Sequence, residues 1–146
     1  MRQLSIVLVL KLAAVAFFLN FFWEVLHSRL YETTLSMGPA ALGNLLTLQS
    51  LKDAGWIVLF YLITLAIFRN TDITRNRAQL AVFILLALMF SFVDERISIE
   101  LGRWAYASVM PTVFGAGLTP FLELAVTGLV TFLVVFVVFR EVPRAD

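Results

Sequence analysis

Four stretches of the chain run apolar for close to the thickness of a bilayer core, which a helix crosses in about 20 residues. They cover approximately residues 5–30, 51–68, 78–99 and 118–139. The last is the cleanest, with Glu123 as its one charge and a near-continuous Leu/Val/Phe run from Leu129. The second is short and opens on Lys52 and Asp53. Between the first two, residues 35–50 hold Gly38-Pro39, Gly43 and Asn44 among apolar neighbours. Glycine and proline interrupt regular structure, yet the segment is too apolar for a free loop. It is predicted to lie on the membrane surface or to re-enter it in part, a backbone tolerated only where protein covers it or water reaches it. The pattern predicts an all-α membrane protein: one domain over residues 1–146, with about four transmembrane helices in a bundle.

Composition agrees. The chain is 61% hydrophobic and 14% charged, where soluble domains are about half apolar and about a quarter charged. A chain this small has too much surface for its volume to hide that excess, so it faces lipid, and membrane lipids are the expected partners. The apolar N-terminal stretch is followed by Glu24, His27 and Arg29 rather than a small-x-small cleavage site, and reads as a retained helix. Arg2, Lys11, Arg69, Arg75, Arg77, Arg140 and Arg144 fall on one side of the membrane and Arg29, Lys52, Arg96 and Arg103 on the other. The side richer in basic residues is cytoplasmic, which puts both termini there and the protein in a cytoplasmic membrane. The net charge is +1, with no basic run interleaved with aromatics, so no nucleic-acid partner is expected. No cysteine is present, which removes disulfides and thiol chemistry. No phosphate-binding loop, haem-binding cysteine pair or zinc-protease helix occurs, and no cofactor is expected.

The acids are spread unevenly. Glu24, Glu32, Asp53, Asp94, Glu95, Glu100 and Glu123 all fall at or near the outer side. Ionisable groups within a span are costly and face the bundle interior or a wet cavity, so the outer half of the bundle is predicted to hold a polar pocket. Asn20, Trp23, Glu24, His27 and Tyr31 lie at offsets of three, four, seven and eleven, along one helical face. Glu24-Val-Leu-His27 places a carboxylate and an imidazole together, as in di-iron bundles. Such sites use two copies, and His27 is the one histidine of the chain, so no metal is expected; the alternative is a mixed carboxylate site with Asp94, Glu95 or Glu123 as further ligands, whose oxygen-rich set would suit magnesium, calcium or manganese better than zinc. Asp94 and Glu95 directly follow the apolar run from Leu80 to Val93, and at least one is expected to point inward. Arg96, Glu100 and Arg103 form a charge ladder if the helix continues, and Arg96 or Arg103 is a candidate partner for Glu24 or Glu123. Thr119, Glu123, Thr127 and Thr131 make a polar stripe on the last span. Candidate acid–base residues are therefore Glu24, His27, Asp94, Glu95 and Glu123. Candidate binding residues are Asn20, Trp23, Arg96, Glu100, Arg103, Trp104 and Tyr106. The aromatics among them also fit a headgroup belt.

Gly102-Arg103-Trp104-x-Tyr106, then Met110-Pro111, then Gly115-x-Gly117-Leu118-x-Pro120 and Glu123, resembles a pattern in small multi-span prokaryotic membrane proteins of unassigned activity. Asn20-Phe-Phe-Trp23-Glu24 and Tyr31-Glu32 are similar to their first helix. The resemblance covers about a third of the chain and implies membrane location. A looser similarity to carotenoid-modifying membrane proteins rests on carboxylates and aromatics at helix ends. Three functions stay open: an enzyme acting on a lipid or isoprenoid in an outward-facing pocket, a small and oligomeric transporter subunit using a membrane carboxylate, and an accessory protein whose polar residues knit helices together.

Overall fold

The computed structural model describes residues 5–139. Helix α1, Ile6–His27, starts where the Ser5 hydroxyl accepts the Leu8 N–H at 3.1 Å, a side-chain cap for an otherwise unpaired helix-end donor. A single 3₁₀ turn, Ser28–Leu30, and the four-residue helix α2, Glu32–Leu35, lead to α3, Pro39–Phe68. Here the structure departs from the sequence expectation. Residues 39–50 are not a separate segment; they are the first three turns of one continuous 30-residue helix. Pro39 occupies its first turn, where the missing N–H costs nothing and the fixed φ suits the helix. The proline read as a breaker is a starter.

Helix α3 ends at Arg69 in the left-handed conformation. The loop that follows is tied down: Tyr61 donates to the Thr71 carbonyl at 2.8 Å, and the buried Gln79 amide donates to the Asn70 carbonyl at 3.0 Å. Asn76 caps α4, Arg77–Glu100, by accepting from the N–H groups of Ala78 and Gln79. That helix stops at Glu100 because Gly102, at φ +66°, turns the chain back so that its N–H and that of Arg103 reach the carbonyls of Ile99 and Ser98, a Schellman closure. Arg103 therefore leaves the ladder, and only Arg96 and Glu100 pair, at 2.8 Å. A two-stranded antiparallel hairpin follows, β1 Thr112–Val113 and β2 Ala116–Gly117. Its turn residues Phe114 and Gly115 both have positive φ, as a two-residue hairpin turn requires. Helix α5, Leu118–Leu133, continues into a π-helical turn, Val134–Val138.

Three helical segments are long and apolar enough to cross a membrane: Ile6–Leu30, Pro39–Phe68 and Leu118–Val138. Helix α4, 24 residues long, packs among them and carries charge at both ends. Contacts fix an up-down order. Trp56 meets Phe90 while Phe60 meets Phe83, so α3 and α4 are antiparallel. Phe83 meets Phe132 while Phe92 meets Phe121, so α4 and α5 are antiparallel too. Buried residues trace one stripe per helix: Gln79, Phe83, Ala87, Ser91, Glu95 and Ser98 on α4, and Leu46, Ser50, Asp53, Ile57, Phe60 and Thr64 on α3. The opposite faces are apolar and exposed, with Phe18, Phe22 and Leu26 on α1 and Leu85 and Met89 on α4. In lipid the hydrophobic effect does not drive helices together, so close packing and polar contacts must. Gly128 supplies the first, lying flush against the Phe83 ring. The threonine stripe supplies the second: Thr127 Oγ1 lies 2.9 Å from Asn20 Oδ1 on α1, and Thr131 bonds back to the Thr127 carbonyl. Arg2, Arg140 and Arg144, on which the inferred orientation partly depends, lie outside the described residues.

Candidate functional site

In the up-down arrangement the end of α1, the start of α3, the end of α4 and the start of α5 meet at one end of the bundle. They enclose a cavity of about 140 Å³. Its apolar wall comes from Met37, Leu45, Leu46, Phe90, Pro120 and Leu124. Its polar wall carries five carboxylates, Glu24, Asp53, Asp94, Glu95 and Glu123, together with Lys52, Arg103 and His27. Five carboxyl groups thus face two permanent cations and one imidazole.

His27 is the centre of the polar wall. It is 6% exposed and lies between two carboxylates, with Nε2 at 3.0 Å from Glu24 Oε2 and Nδ1 at 3.8 Å from Glu123 Oε2. The first distance is a hydrogen bond and the second is too long for one. Glu24 and His27 are one turn apart on α1, and Glu123 reaches across from the first turns of α5. Among the described residues, His27 Nδ1 and Glu123 Oε1 have no hydrogen-bond partner although both are buried.

Glu95 forms a second node. Tyr31 donates to its Oε1 at 3.1 Å and Tyr106 at 2.7 Å. The Tyr106 oxygen in turn accepts the Gly117 N–H at 2.6 Å, which ties the hairpin to α4. Tyr31 and Tyr106 also form an isolated antiparallel bridge, so the chain after α1 is laced to the chain after α4. Burial, and then the charge of Glu95, pushes the Tyr31 phenol well up; burial and the hydrogen bond to Glu95 raise that of Tyr106. Both phenols therefore stay protonated and act as fixed donors. At the rim Lys52 pairs with Asp94 at 3.3 Å and lies 4.0 Å from Asp53.

The structure brings together Glu24, His27, Asp94, Glu95, Glu123, Arg103 and Trp104 of the residues singled out from sequence, all on the cavity wall. The other binding candidates lie elsewhere. Asn20 is fully buried in the α1–α5 contact. Trp23 is half-buried off the lining, and its indole N–H has no partner among the described residues. Arg96 pairs with exposed Glu100 and passes beneath Gly115 of the hairpin turn. Tyr106 acts through Glu95. Neither arginine pairs with Glu24 or Glu123: Arg96 takes Glu100 and Arg103 reaches the Ser98 hydroxyl at 3.4 Å. The polar wall residues absent from the sequence-based set are Ser28, Tyr31, Thr33, Thr34, Gln49, Lys52, Asp53 and Ser91. A signal for Asp53 existed, because it opens the predicted second span and falls on the alternating three- and four-residue stripe of α3.

No protein family, curated protein or solved structure matches this chain.

Proposed function

We propose that this chain is a four-span membrane protein with α4 as the remaining span, and that its cavity is an outward-facing acid–base site acting on a lipid or isoprenoid. The observation that carries the reading is the setting of His27. A Glu24 carboxylate holds Nε2–H, which fixes the tautomer and leaves Nδ1 as a basic nitrogen toward Glu123 and the cavity. Orienting an imidazole with a carboxylate on one nitrogen while the other exchanges protons is a recurrent catalytic arrangement.

The dimensions support a lipid. An apolar cavity of about 150 Å³ accepts one benzene, so 140 Å³ accepts one isoprene-sized unit or a small headgroup, the remaining chain lying among lipid. The Tyr31 and Trp104 rings, 6.2 Å apart edge to face at the wall, suit a developing cation. The excess of carboxylates favours one further reading, a transporter of protons or of an organic cation.

The test uses exchange into carbon-bound positions. The full chain in nanodiscs is incubated in D₂O with a total bacterial lipid extract, and the lipids are analysed by mass spectrometry. A base that removes and returns a proton at carbon leaves deuterium in its substrate. Deuterium gained by one lipid class with the parent chain, and lost in His27→Gln and Glu123→Gln, is the expected outcome. No label in any class, together with proton or cation flux in sealed vesicles, overturns the enzyme reading in favour of transport.

A further inference from the structure

We propose that Glu24, His27 and Glu123 form a binding site for a single divalent metal ion of the manganese type. His27 Nδ1 and the Glu123 carboxylate are its ligands, and Glu24 is the carboxylate that orients the imidazole. The inference rests on the cavity being a working site, and not on the chemistry assigned to it above.

Geometry is the first support. Donor atoms of Glu24, His27 and Glu123 lie within 4.8 Å of one another. His27 Nδ1 and Glu123 Oε2 are 3.8 Å apart. Two ligand atoms each about 2.1 Å from one ion stand roughly 3.0–4.2 Å apart as the angle between them opens from a right angle to linear. The observed separation falls within that range, whereas it is too long for a direct hydrogen bond. The second support is independent of the acidic cluster. His27 Nδ1 and Glu123 Oε1 are both buried on the cavity wall and have no partner among the described residues. Burying polar atoms without partners is costly, and a cation that takes both removes the cost. The third is the role of Glu24. Histidines that bind metals almost always donate their other ring N–H to a carboxylate or carbonyl, which fixes the tautomer. Nε2 at 3.0 Å from Glu24 Oε2 is that arrangement.

The donor set selects the ion. One imidazole nitrogen with carboxylate oxygens is a mixed set. Carboxylates suit magnesium, calcium and manganese, whereas imidazole suits the transition metals. Manganese is common to both demands. Asp53 lines the same cavity, so a dication there would face a wall on which carboxylates outnumber cationic side chains. A bound ion would raise the acidity of a water on it, so that hydroxide rather than the imidazole would be the proton-accepting group of the site.

The experiment takes the untagged full chain in nanodiscs, strips it with a chelator and titrates it with manganese(II), followed by electron paramagnetic resonance. His27 is the only histidine, so a pulsed measurement that detects coupling to an imidazole nitrogen reports on that residue in the parent chain, with no variant needed. Saturable binding of one ion per chain with that coupling is expected. Glu24→Gln should keep the coupling and weaken binding by about 10–100-fold, the usual effect of losing an orienting partner. His27→Gln should lose the coupling and weaken binding further. Glu100→Gln, at the exposed pair with Arg96, should change neither. Absence of saturable binding, or bound manganese without imidazole coupling, overturns the metal site. Deuterium labelling of lipid by the stripped chain in that case leaves the acid–base reading standing. Manganese binding with imidazole coupling but no labelling, with or without the ion, overturns that reading and leaves the metal site in place.

Discussion

Gly128→Ala tests whether α4 packs in the bundle at the register described. A methyl built on Gly128 would lie 2.5 Å from Phe83 Cζ and 2.7 Å from Cε1. Carbon atoms in contact rest about 3.5–4.0 Å apart, so the methyl is about 1 Å too close. Phe83 has no room to yield. It is fully buried, with the Phe132 ring centroid at 4.7 Å and that of Phe60 at 6.5 Å. The ring cannot swing outward without breaking those contacts, so α4 and α5 must separate. Overpacking of this kind costs about 1–3 kcal/mol, and alanine returns about 0.5–1 kcal/mol through its better helix propensity. The net loss expected is about 1–2 kcal/mol. At about 2–4 °C per kcal/mol for a chain near this size, the melting temperature in detergent should fall by about 2–8 °C, read from tryptophan fluorescence or circular dichroism. The double variant Gly128→Ala with Phe83→Leu should recover part of that loss, with a coupling of about 1 kcal/mol in a double-mutant cycle. A Gly128→Ala chain as stable as the parent, with no coupling to position 83, would refute the α4–α5 contact and with it the place of α4 among the spans.

Two further predictions concern the site and the topology. Glu123→Gln should fold within about 1 kcal/mol of the parent, because Glu123 has no arginine to strand and the loss of roughly 3–5 kcal/mol that follows breaking a buried ion pair does not arise; a large drop in melting temperature, restored by neutralising Arg103, would reinstate a structural ion pair. Reporter domains fused at residue 73 and at the C-terminus should both report cytoplasm, since the loop holding Arg69, Arg75 and Arg77 carries the strongest basic signal; a C-terminus found outside would mean an odd number of spans.

Legibility in the sequence followed a physical divide. Membrane character needed no tertiary information: an apolar run of bilayer length has one favourable place to lie, whatever its neighbours do. The inward position of Glu24, Glu95 and Glu123 was legible for the same reason, since charge next to an apolar run must find shelter. Residues 35–50 were set apart from the second span because glycine and proline were weighed as breakers, whereas a proline in the first helical turn is favourable. Only the placement of Pro39 after Gly38 at the helix start decides between the two.

The chain alone thus determined solvent, helical class and the end of the bundle where polar groups gather, because these depend on local hydropathy and period. Tertiary structure decided which polar groups meet. Arg96 and Arg103 were candidate partners for Glu24 and Glu123, yet Gly102 closes α4 and turns Arg103 toward Ser98, and Arg96 finds Glu100 one turn along its own helix. Antiparallel packing of α1 and α5 then sets Glu123 beside His27, 96 residues away in the chain. Pairing across that distance depends on helix register and rotation, which packing fixes to within a few ångströms and hydropathy does not record.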